Sequence, residues 1–118
     1  MFKLNLVPGQ LSLQDLRRIS KEQTHIILDE GAADKIQKAN DTILKIVEED
    51  RTVYGVNTGF GLLANTKIAK EDLEDLQRRI VLSHSAGMGD YVSNATVRLM
   101  IILKVNSLSL GYSGIRLK

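Results

Sequence analysis

Five apolar side chains, Ala32, Ile36, Ala39, Ile43 and Val47, recur at steps of three and four. That spacing lays them along one face of an α-helix and excludes a strand, whose faces alternate every second residue. A second stripe, Leu73, Leu76 and Ile80, obeys the same rule inside a helix expected over 70–85. Acids fill the first turn of that helix, and Arg78 and Arg79 come later, as the helix dipole favours. Gly87 is its expected stop. Ser12, with Asp15 three residues on, opens another helix through a variant of the capping box, and Leu13, Leu16 and Ile19 form its apolar side. Ser93 or Asn94 caps a last helix that ends near Gly111. Residues 99–103 are apolar all round, which predicts burial on most sides, in the chain's own core or against other chains. Only FKLNLV, ending at Pro8-Gly9, and HIILD (25–29) read as short strands. The fold class is therefore mainly α, with one or two short N-terminal β-strands.

A chain of 118 residues is one domain's worth, or a piece of one. Sixteen basic against fourteen acidic residues leave a net charge of +2, and the two signs are interleaved, as in KEDLEDLQRR. No basic stripe results, which argues against a nucleic-acid partner. The absence of cysteine excludes disulfides and thiolate chemistry and fits a reducing compartment. MFKLNLVPGQ lacks the apolar run of a signal peptide. LMIILKV (99–105), interrupted by Lys104, is too short to span a bilayer. The expectation is a soluble, cytoplasmic protein with no membrane partner. At the other end, GYSGIRLK offers Ser113 as a fresh helix cap with little chain to follow, as in the front part of something longer.

Between the two striped helices lies TVYGVNTGFG (52–61), uncharged and rich in glycine. Residues 59–64 match the loose pattern G-x-G-x-x-A of dinucleotide-binding turns. The match fails on context, because the next helix starts some nine residues after Gly61 and no acid follows about twenty residues on. Two histidines without cysteine give no metal-ligand spacing. In SHSAGMGD (83–90), neighbouring helical residues point about 100° apart, so neither serine is expected to face His84 as a nucleophile. His84 continues the stripe of Leu73, Leu76 and Ile80, so it is expected to face inward at its helix end. It reads either as a satisfied core histidine or as a ligand-contacting imidazole at the mouth of a cleft. Tyr54 likewise has two readings: a packing residue with its hydroxyl satisfied, or a phenol carried to a ligand by a segment that Gly55, Gly59 and Gly61 allow to bend.

VYGVNTGFG, LLANTKI, LQRRIVLSHSAGMG and KVNSLSLGYSGIR, in that order and spacing, resemble the N-terminal part of the aromatic amino acid ammonia-lyase and aminomutase family. The likeness covers essentially the whole chain, and LSHSAG leans to the histidine-acting branch. The resemblance implies an elimination of ammonia from L-histidine to give trans-urocanate, in histidine catabolism, by a cytoplasmic homotetramer. It implies Tyr54 as the base that removes a proton from the substrate β-carbon and His84 as a residue that holds the substrate side chain. It also implies a mobile active-site loop containing Gly55, Asn57, Gly59, Phe60 and Gly61. Such a base is demanding: a free phenol with pKa about 10 is about one-thousandth ionised at pH 7, a penalty of about 4 kcal/mol. The family meets a second difficulty, the low acidity of the β-hydrogen, with a methylidene-imidazolone electrophile formed from an internal Ala-Ser-Gly. This chain has no Ala-Ser-Gly, and Tyr112-Ser113-Gly114 lacks the alanine. Residues 1–118 are accordingly expected to be an N-terminal segment cut before the cofactor motif and inactive alone. A tyrosine-acting lyase or aminomutase of the same family is the alternative, and a non-catalytic helical interaction module is the alternative outside it.

Overall fold

A computed structural model describes residues 1–117. Two compact units make up the chain: Met1–Asp41 together with the chain from Tyr91 onward, and Thr42–Asp90.

In the first unit, strands β1 (Phe2–Leu6) and β2 (Thr24–Leu28) pair in parallel, with Phe2 opposite Thr24 and Leu6 opposite Leu28. Parallel strands need a crossover rather than a tight turn, and helix α1 (Leu13–Lys21) supplies it. The start of α1 is built as its sequence implies. The Asp15 N–H donates to Ser12 Oγ at 3.1 Å, and the Ser12 N–H donates to the Asp15 carboxylate at 3.1 Å. Two of the N–H groups at this helix end are thereby satisfied. Leu6, Ile19 and Ile102 form the buried centre, and Leu4, Leu16, Ile26, Leu28 and Val105 pack around them. Ile102 and Val105 come from helix α4 (Asn94–Leu108), whose N-cap Ser93 accepts from the Thr96 N–H. Arg98 of α4 donates from Nη2 to the Ser20 carbonyl at 2.9 Å, tying α4 to one of the carbonyls that the last turn of α1 leaves without an intrahelical partner. Helix α2 (Gly31–Glu48) begins in this unit and buries Ala32 and Ile36. The chain after α4 runs close along it: a Cβ on Gly111 would lie 2.8 Å from the Lys35 carbonyl oxygen, and Asn40 Nδ2 donates to the Gly114 carbonyl at 2.9 Å.

Three expectations are corrected here. Leu13 is 73% exposed and takes no part in the apolar side of α1. Each step of three residues falls 60° short of a full turn, so across six residues the stripe has drifted 120° off the buried face. Of residues 99–103 the chain's own core buries Ile102, whereas Met100, Ile101 and Leu103 are exposed, because α1 and the strands cover one face of α4; of the two coverings expected for this stretch, the chain's own core is the one corrected. The helix also ends at Leu108, earlier than Gly111, and 112–117 are not helical.

The second unit holds the last turns of α2, an irregular segment with 3₁₀ turns at Gly61–Leu63 and Lys70–Asp72, and helix α3 (Leu73–His84). The helix expected over 70–85 thus starts as a 3₁₀ turn and becomes α-helical at Leu73. It stops at His84, before Gly87. Ser83 and Ser85 donate their hydroxyls to the Ile80 and Val81 carbonyls, so side chains take up the last-turn acceptors. Among the described residues the buried apolar side chains all belong to the first unit; in the second, Asn57, Thr58 and Gly59 are the buried ones. No helix among the described residues is long and apolar enough to cross a membrane.

Candidate active site

The Val56 N–H donates to the Val53 carbonyl at 3.1 Å, closing a four-residue turn with Tyr54 and Gly55 in its middle. Gly55 has φ +77°, the positive value that a type II turn requires at its third residue. Tyr54 therefore sits at a turn tip, 63% exposed, with its ring edge-on to Phe60 at 5.7 Å between centroids. Such aromatic pairs contribute about 0.5–1.5 kcal/mol beyond their burial.

Beneath that tip the segment is fastened. Asn57 is 3% exposed; its Oδ1 accepts from the Val53 N–H at 2.9 Å, and its Nδ2 donates to the Arg51 carbonyl at 2.7 Å. The Ile68 N–H donates to the Asn57 carbonyl at 2.9 Å, and the Gly59 N–H donates to the Thr66 carbonyl at 2.9 Å. Thr58 pairs with Lys67 as an antiparallel bridge, and Lys67 Nζ donates to the Asp50 carbonyl at 2.9 Å while pairing with its carboxylate. A Cβ on Gly59 would meet Leu63 Cβ at 2.6 Å and the Leu63 carbonyl oxygen at 2.8 Å. Glycine at 59 thus serves close approach of two backbone segments. Gly61, with φ +57° and open space around it, serves a left-handed backbone. Bending freedom, which composition suggests for all three glycines, describes the rims of this segment and not its centre.

His84 ends α3 in the same unit, and it is exposed instead of facing inward. The Leu73, Leu76 and Ile80 stripe is half-buried, but nothing in this unit covers its last turn. His84 Nδ1 lies 2.8 Å from the Ile80 carbonyl oxygen and 3.1 Å from Ser83 Oγ. The serine hydroxyl thus lies beside the ring. The pair is still not a nucleophile and its base. A carbonyl only accepts, so Nδ1 must carry the proton it gives to Ile80, and the Ser83 hydroxyl donates to the same carbonyl at 3.0 Å. In the neutral ring this leaves the Nε2 lone pair as the outward-facing acceptor.

Tyr54, Gly55, Asn57, Gly59, Phe60 and Gly61 are thus gathered into one fastened turn, with His84 elsewhere in the same unit. An open apolar groove of about 370 Å³ in the first unit, lined by Ile19, Ile26, Leu28, Ile101 and Val105, contains none of them. Sequence reading missed the clamp from Lys67 to Asp50 and the anchoring by Asn57. Asparagine's habit of bonding nearby backbone was the available signal for the second; the first joins residues seventeen apart and has no local signature.

A family model described as aromatic amino acid lyase matches residues 11–118. The chain is 58% identical over 116 residues to histidine ammonia-lyase of Aliivibrio fischeri (strain MJ11), covering 98% of this chain and 23% of that one. It is 57% identical over 113 residues to histidine ammonia-lyase of Pseudomonas fluorescens (strain SBW25), covering 96% and 22%. Among solved structures, histidine ammonia-lyase from Trypanosoma cruzi superposes with a TM-score of 0.80 at 39% identity, over 91% of this chain and 21% of that one. A tyrosine aminomutase from Streptomyces globisporus superposes with a TM-score of 0.85 at 27% identity, over 98% and 22%. The chain thus spans about a quarter of the length of the curated relatives it matches. From the matched residues and the shared fold together, this chain belongs to the aromatic amino acid lyase family.

Proposed function

We propose that residues 1–118 form the N-terminal segment of a histidine ammonia-lyase, which eliminates ammonia from L-histidine to give trans-urocanate. The observation that carries this reading is the 55–58% identity, over 96–100% of the chain, to relatives named for that reaction. Tyr54 is the base that takes the proton from the substrate β-carbon, and its exposed position at a turn tip leaves the phenol free to meet a ligand. His84 holds the substrate side chain, with Nε2 accepting from the imidazole N–H. Gly55, Asn57, Gly59, Phe60 and Gly61 form the active-site loop around the base. The 118 residues contain no Ala-Ser-Gly, so they do not themselves supply the family's methylidene-imidazolone, and this segment alone is inactive. The complete enzyme is a cytoplasmic homotetramer.

The test is Tyr54→Phe in a complete lyase carrying this segment, with urocanate formation followed by absorbance. A fall in turnover of about 100-fold or more, with folding and assembly intact, is expected for a lost general base. Turnover near the parent's sinks the assignment. A second reading, a tyrosine-acting lyase or aminomutase, draws support from the outward Nε2, which accepts equally well from a phenol O–H. Coumarate or a β-amino acid as the product would select it.

A further inference from the structure

Asn57 lies one turn away from the phenol and bonds in four directions. Its Oδ1 accepts from the Val53 N–H at 2.9 Å, and its Nδ2 donates to the Arg51 carbonyl at 2.7 Å. Its own N–H donates to the Val53 carbonyl at 3.3 Å, and its carbonyl accepts from the Ile68 N–H at 2.9 Å. The side chain therefore closes a ring that begins at Arg51 and returns at Asn57, with Tyr54 and Gly55 projecting from it. At 3% exposure, these bonds are shielded from competing water. The Tyr54 ring is exposed and meets the edge of Phe60. Packing thus does little to hold the phenol, and the backbone that carries it does most.

We propose that Asn57 is the positioning residue for Tyr54: its amide fixes the turn that aims the phenol, and it does not touch the substrate. The proposal rests on Tyr54 being the base. Removing the amide frees the Val53 N–H and the Arg51 carbonyl together, so the turn can open on both sides of the tyrosine. A misplacement of about 1 Å at a reacting group costs on the order of 100-fold in rate.

A double-mutant cycle in a complete lyase carrying this segment tests it, using Asn57→Ala, Tyr54→Phe and the pair. Asn57→Ala is expected to lower kcat on the order of 100-fold while KM moves less than about threefold, since the amide makes no substrate contact. On top of Tyr54→Phe the same change is expected to cost little, because the group it aims is already gone. If Asn57→Ala multiplies its full factor onto Tyr54→Phe, or leaves kcat unchanged, the positioning role is overturned while the base assignment survives. If Tyr54→Phe is itself near parental, the base assignment fails instead, and the two failures are distinct. Should Asn57→Ala not fold, hydrogen exchange on the unmutated enzyme decides. The Val53 N–H is expected to exchange at least about 100-fold more slowly than an unstructured amide, and an unprotected Val53 overturns the proposal.

Discussion

Replacing Gly59 by alanine separates the two explanations for glycine in this loop, close approach and bending freedom. The added Cβ falls 2.6 Å from Leu63 Cβ and 2.8 Å from the Leu63 carbonyl oxygen. Carbon atoms in contact sit about 3.5–4.0 Å apart, so roughly 1 Å must be found. A rotamer change cannot supply it, because the obstructing atoms are a Cβ and a backbone oxygen. Overpacking of this kind costs about 1–3 kcal/mol. Gly59 has no positive φ, so the backbone adds no strain of its own. A loss of about 2 kcal/mol corresponds to exchange about 30-fold faster at amides that open with this segment. The readouts are the N–H of residue 59, bonded to the Thr66 carbonyl, and that of Ile68, bonded to the Asn57 carbonyl. Gly61 is the control, since its Cβ would meet nothing within 4 Å but its φ is +57°. Asparagine tolerates that region, so Gly61→Asn should cost less than Gly61→Ala, whereas Gly59→Asn should cost more than Gly59→Ala. Unchanged protection at residue 59 and Ile68 in Gly59→Ala would refute the close-approach account.

Leu6 is 1% exposed at the centre of the first unit, and Leu6→Ala is expected to destabilise it by about 2–5 kcal/mol, measured by urea denaturation. The Ser12 hydroxyl, and then the Ser12 N–H, hold the Asp15 carboxyl below its usual pKa of 3.8. A carboxyl depressed by folding contributes stability above its unfolded pKa and loses it as pH falls through the folded value. The Tm gap between parent and Asp15→Asn should therefore be constant above about pH 5 and shrink below 3.8; a gap that widens in acid contradicts the capping box. Met100, Ile101 and Leu103 are 62%, 59% and 48% exposed on α4, and exposed apolar side chains favour association when they are contiguous. Sedimentation should show self-association that Ile101→Lys weakens, and a strictly monomeric profile at moderate concentration would count against it.

What the sequence determined by itself was local. The helices α1, α2, α3 and α4 are legible because their signals act within one turn: an apolar step of three or four in α1, α2 and α3, and a capping serine in α1 and α4. Ser12 with Asp15 formed the cap its spacing implies, and of the two candidates Ser93 and Asn94 it is Ser93 that caps α4. Both strands were legible as elements, the first from its alternation and the second as a short apolar run closed by Glu30-Gly31, but their parallel pairing was not, since it joins residues about twenty-two apart through a crossover. The order of motifs also reached the family, because YGVNTGFG and LSHSAG are specific as strings.

Tertiary structure alone decided burial and direction. Periodicity places Leu13, His84 and residues 99–103 on a helix face, yet whether a face is covered depends on neighbours distant in sequence. Leu13, His84 and Met100 proved exposed, while Ile102 found α1 and the strands. In the same way, composition marks 55–61 as flexible, but Asn57 and Gly59 are enclosed because Thr66, Lys67 and Ile68 fold back against them. Those bonds span seven to eleven residues, and no local propensity encodes them. A glycine needed for space and one needed for freedom are the same letter until the opposing backbone is in place.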